Sequence, residues 1–189
     1  MCIRDRVLTD LNPWVVSFHL LCSLAIIGVA VRLLLSLEAP LPPVARGPVV
    51  GLAWAVFGSA WAVLYVGTVV TGSGPHAGDI DTERNGVNPL QVSQLHADLV
   101  FLFVGLTLGL LFALLATGAG PEARRAVVVL LGVEVAQGAV GFVQYFTDLP
   151  VVLVGFHMLG AAVISACVTW VLLRVRRPFP AGTGTGSLT

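Results

Sequence analysis

Apolar residues run almost unbroken through five stretches of the chain, at about residues 14–37, 49–71, 88–118, 126–146 and 151–173. Each stretch holds the roughly 20 apolar residues that a helix needs to cross a bilayer core. Prolines, glycines and charges collect in the breaks between them. None of the stretches carries a clean polar stripe, so the pattern does not say which side of each helix meets a neighbour. Two starts are marked: Asn12-Pro13 and Asn88-Pro89 each place a capping side chain before a proline. Proline suits the first helical position, where a missing N–H costs nothing. Pro150 opens the fifth stretch.

Composition agrees with this pattern. Of 189 residues, 57% are hydrophobic and 11% are charged, and the mean hydropathy is +0.94. A soluble domain has about 25% charged residues, so the expected class is an all-α integral membrane protein with five transmembrane helices. Net charge is zero and lysine is absent, which argues against a nucleic-acid partner. The three cysteines, Cys2, Cys22 and Cys167, form no metal or redox spacing. The start, MCIRDR, lacks the features of a signal peptide and shares no pattern with the rest of the chain. Residues 1–12 are therefore expected to be a non-native or linker start with the native N-terminus missing. The Gly/Thr-rich residues 176–189 are expected to be a disordered cytoplasmic tail.

Arginine placement predicts orientation. Arg32 and Arg46 flank the first break, Arg124 and Arg125 the third, and Arg174, Arg176 and Arg177 the C-terminal end. The other breaks hold Arg84 among Asp79, Asp81, Glu83 and Asp148. The positive-inside rule then makes the arginine side cytoplasmic and the acidic side external, with Arg4 and Arg6 in disagreement.

The odd-numbered stretches share a further pattern. Each enters from the acidic side at a proline and carries a histidine six or seven residues later: His19 after Pro13, His96 after Pro89, His157 after Pro150. At 1.5 Å per residue all three imidazoles are expected about 9–11 Å below the helix ends. The first and fifth stretches share wording, NPWVVSFHLL against DLPVVLVGFHML, a weak internal repeat. Ionisable groups at that depth are expensive and point to function. A buried histidine can simply bond a neighbouring helix. Two at matched depth on parallel helices favour clamping a heme iron from both faces.

Other polar residues carry weaker signals. Gly72, Gly74 and Gly78 follow a membrane helix rather than a strand, so a nucleotide-binding reading fails. The run from Asp79 has Arg84 and Leu90 where a calcium loop needs glycine and glutamate. His76, in the same loop, reads as solvated or loop-packing. Asp98 lies close to His96 in sequence. Glu134, Gln137 and Gln144 are expected to bond across helices or to line a cofactor pocket. Gly105 and Gly109 form a GxxxG pattern that permits close helix approach.

The runs YVGTVVTGSGPHAGD, QLHADLVFLFVGLT and QGAVGFVQYFTDLPVVLVGFHMLGAA resemble the second half of an actinobacterial-type heme A synthase. NPWVVSFHLL resembles the last helix of that family's first half, so the resemblance covers nearly the whole chain apart from its ends. It implies an eight-helix parent made of two pseudo-symmetric four-helix bundles. Residues 13–38 would then be the last helix of a truncated first bundle. Residues 48–175 would form an up-down, heme-binding four-helix bundle. The resemblance implies heme b as cofactor, with His96 and His157 as axial ligands, and His19 as an iron ligand on the substrate side. The parent would oxidise a methyl group of heme O to formyl, giving heme A for cytochrome oxidase. Its partners would include heme O synthase and oxidase assembly, with oligomers allowed, in the plasma membrane. The chain departs from the family in lacking the first three helices, and with them the partner of His19 and the catalytic glutamate. Its catalytic residues are thus unassigned, and the 189 residues alone are expected to be inactive. Two rivals remain: a non-catalytic bis-histidine heme b electron carrier, and a heme-free transporter or assembly factor.

Overall fold

The computed structural model describes residues 12–37, 47–74 and 83–176. His76, the first eleven residues, Arg46, Asp79, Asp81 and the tail from 177 lie outside the described residues. Within them the chain forms five helices: α1 (Pro13–Ser36), α2 (Gly47–Ser73), α3 (Pro89–Ala116), α4 (Pro121–Phe146) and α5 (Val151–Arg176). All five are long and apolar enough to cross a membrane.

Local chemistry sets the helix ends. The Asn12 side chain accepts from the Trp14 N–H, and Asn88 accepts from Leu90 and Gln91, each ahead of a proline at the first position. At the far end of α3, the Ala119 N–H bonds the Leu114 carbonyl and the Gly118 N–H bonds Leu115. Gly118 has φ +67°, the left-handed conformation that this C-terminal motif needs and that glycine adopts without strain. Helices α4 and α5 run longer than their apolar stretches suggest. Helix α4 starts at Pro121 rather than near 126, and α5 continues to Arg176. Arginine stems can lie along apolar surface while their heads reach polar surroundings, so these turns stay helical. Arg176 stacks over Trp54 at 5.1 Å, tying the end of α5 to the start of α2.

Helices α2, α3, α4 and α5 pack in a closed ring, each touching the next, and α1 lies in the groove between α2 and α5. The ring is held mainly at one end. Val56, Ala60, Leu110, Leu114, Ala123, Ala126, Val127, Leu130, Val168 and Val171 are fully buried. All of them lie in the half of the bundle that carries Arg124 and Arg174. In the other half the packing thins: no residue of α4 beyond Glu134 is buried, and on α5 nothing before Gly160 is. The GxxxG pair Gly105 and Gly109 faces open space, with nothing within 4 Å of a methyl added at either position. Close approach occurs instead at Gly28, where Thr169 Oγ1 would lie 3.0 Å from an added Cβ.

Helix α1 docks by specific polar contacts. Ser17 donates to the Thr68 carbonyl of α2, and Ser165 of α5 donates to the Leu24 carbonyl at 2.7 Å. Such interhelical bonds contribute about 0.6 kcal/mol each in a membrane.

Candidate functional site

His96 on α3 and His157 on α5 come together in the loosely packed half, with ring centroids 6.5 Å apart and planes at 74°. Each ring rests on a glycine of the preceding helix. An added Cβ on Gly67 of α2 would lie 3.1 Å from His96 Cε1, and one on Gly141 of α4 would lie 3.4 Å from His157 Cε1. Each α-helical hairpin, α2–α3 and α4–α5, therefore offers a histidine from one helix and a glycine cradle from the other. The Val63 backbone carbonyl also reaches the His96 ring. In both imidazoles Nδ1 is buried without a hydrogen-bond partner. An unpaired buried nitrogen is costly, by about 1–3 kcal/mol, so each ring has an acceptor or donor to satisfy.

This geometry restricts what can join the rings. At 6.5 Å between centroids they are too far apart to bond each other directly. Two metal–imidazole bonds of about 2 Å each, with a ring radius at either end, come to about 6 Å. Among the described residues no group of three or more His, Cys, Asp or Glu side chains converges. A bare metal ion wants three or four protein ligands. An iron already held in a macrocycle needs only axial ones. Two imidazoles are the donor set that the axial positions of a heme iron would use.

Around the pair the polar residues divide by position. Gln144, one turn from Gly141 on α4, has its Oε1 buried and without a partner. Asp98, near His96 in sequence, points away to the exposed side of α3 and accepts from Gln94 at 2.9 Å. Glu134 is 3% exposed and accepts from Thr107 Oγ1 at 2.7 Å, joining α4 to α3. Its second oxygen is buried and unpartnered. It lies seven residues from Gly141, about 10 Å along α4, and so it borders the histidine site without touching it.

His19 does not join the pair. Helices α1 and α5 run side by side with Leu24 against Ser165, 141 residues apart, and Gly28 against Thr169 in the same register. Carried along the helices, that register sets His19 beside Gly160, about one turn, or 4–5 Å, from the level of His157. The expected layer of three histidines at one depth thus resolves into a pair and an outlier. His19 lines a separate cleft of about 220 Å³ with Val16, Ser23, Thr68, Thr71 and Met158. A parallel helix enters the bundle at its own height, and sequence spacing from the nearest proline does not record that offset.

Gly67, Gly141 and Thr107 are the site residues that the sequence pattern did not single out. Their signal exists only in contact with a histidine or a carboxylate from another helix.

Compared with known proteins, the chain matches no family model, no curated protein and no solved structure. The fold itself defines the class: an all-α bundle of five helices of membrane-spanning length.

Proposed function

We propose that His96 and His157 are the axial ligands of a heme b, and that this chain is the cofactor-bearing half of a heme A synthase. The observation that carries the reading is the facing pair of glycine-backed imidazoles, each with an unpartnered buried nitrogen. The heme would supply one-electron redox chemistry; the protein's part is ligation, orientation and a low-dielectric setting. Loose packing around the pair leaves room for a planar group without dismantling the core at the arginine end. The resemblance to heme A synthases supplies the reaction, methyl to formyl oxidation on heme O. The arginines support an orientation with the histidine end external and the chain in the plasma membrane.

The direct test is an absorption spectrum of the purified chain after heme loading. A low-spin bis-histidine spectrum is expected, and both His96→Ala and His157→Ala should lose it. If both variants keep the wild-type spectrum, the ligand assignment is wrong.

One observation favours a second reading, in which the chain is heme-free and moves protons or a substrate. Glu134, held by Thr107 with a bare second oxygen at mid-bundle, is the kind of intramembrane carboxyl that transporters use. A purified protein with no Soret band after heme supplementation, and with proton flux lost in Glu134→Gln, would select it.

A further inference from the structure

The seam between α4 and α5 carries the histidine site on its inner face and an open groove of about 440 Å³ on its outer face. The groove is lined by Val129, Val133, Ala136, Gln137 and Val140 of α4 and by Phe156, Gly160 and Val163 of α5, among others. Its volume falls in the ordinary range for small-molecule sites, about 300–1,000 Å³. Val140 and Phe156 at its rim are the chain neighbours of Gly141 and His157, the cradle and the ring on the inner side. Beyond Glu134 on α4 and before Gly160 on α5 no residue is fully buried, so the seam is more thinly packed there, with His157 on Gly141 as its inner contact. Below that level Leu130, Ile164 and Val168 hold the same two helices shut.

One polar side chain interrupts the groove. Gln137 is the single polar residue in its lining, and its amide lies over Gly160, filling the space that a Cβ there would take. That places a movable amide one turn from His157, across the line between groove and site.

We propose that the α4–α5 groove is the lateral entry by which the flat, apolar ring of a tetrapyrrole passes from the bilayer to the histidine pair, its propionates trailing toward the polar surface, with Gln137 over Gly160 as its latch. This rests on the heme reading of His96 and His157. The lining suits such a ring: apart from Gln137 it is apolar, Gly132 and Ala136 leave the floor low, and Gly160 adds to that floor once the Gln137 amide swings away. The Gln137 side chain can swing without breaking a helix, since it projects from the surface of α4.

The test measures heme uptake by the full chain in detergent, followed by growth of the bis-histidine spectrum. In a background free of native cysteines, Val140→Cys with Phe156→Cys are joined by a reducible bifunctional thiol reagent. Joining should slow uptake at least tenfold, and reductant should restore it. Gly132→Leu, which fills the floor without a cross-link, should slow uptake several-fold and leave the final spectrum unchanged. Gln137→Ala should speed both uptake and release. Uptake at the wild-type rate in the joined and filled variants overturns the entry route while leaving the ligand pair intact. Failure of the unmodified protein to form the spectrum at all overturns the heme reading and the route with it.

Discussion

The two ends of the bundle are built from equally apolar sequence and packed quite differently. At the arginine end, leucine, valine and alanine from all four ring helices interlock to zero exposure, Leu110, Leu114, Val127 and Leu130 among them. At the histidine end, Phe142, Val143, Phe156 and Leu159 remain more than half exposed; a small cluster of Val66, Val69 and Val92 joins α2 to α3 there, and across α4 and α5 the contact is an imidazole on a glycine. Within the described residues, stability is concentrated in one half and candidate chemistry in the other. A site that must admit and hold a bulky group benefits from a seam that is not already closed by its own side chains, and the tight half can pay for that looseness.

Substitutions of matched size should separate the two ends. Leu130→Ala, in the tight half, should cost about 2–5 kcal/mol, read as a large fall in thermal midpoint in detergent. Leu159→Ala, 60% exposed, should cost less than about 1 kcal/mol by the same measurement. Equal losses would mean that the ends are packed alike, contrary to the burial pattern.

At the border between the halves, Thr107→Val keeps the shape of the side chain but leaves Glu134 without its one donor. A loss of about 0.6–1.7 kcal/mol is expected. Adding Glu134→Met to Thr107→Val should partly restore stability, because it removes the buried acceptor oxygens that Thr107→Val leaves unpaired. A double-mutant cycle on the unfolding midpoint measures the coupling, and a value near zero would remove this pair from the border.

The finest comparison is between the two cradles. Gly67→Ala brings a methyl to 3.1 Å from His96 Cε1, so the ring must shift by a few tenths of an ångström. Gly141→Ala reaches only 3.4 Å from His157, an ordinary contact. Gly67→Ala should therefore weaken heme binding several-fold and perturb the low-spin spectrum, while Gly141→Ala changes affinity by less than about twofold. Binding titrations on both variants check the order; a larger effect at Gly141 would contradict the packing.

Much of this architecture is legible in the residues alone. Five helices follow from run length and hydropathy, and the caps at Asn12 and Asn88 follow from Asn-Pro pairs, because both depend on residues close in sequence. The partnership of His96 with His157 is visible as matched spacing from two prolines. The equal depth expected for His19 is off by about one turn, since α1 lies beside α5 in a shifted register. The GxxxG of α3 is also misleading, because Gly105 and Gly109 face outward while Gly28, Gly67 and Gly160 take the close contacts.

By itself, then, the sequence determined the five helices, the capped starts at Asn12 and Asn88 and the height of each histidine on its own helix. These are one-dimensional quantities set by hydropathy, capping and rise per residue. Only the tertiary structure decided which faces meet. With no polar stripe to mark a face, the rotation of each helix about its axis depends on how side chains from different helices interlock. That rotation turned His96 and His157 toward each other onto Gly67 and Gly141, set Thr107 against Glu134, and left His19 in a cleft of its own.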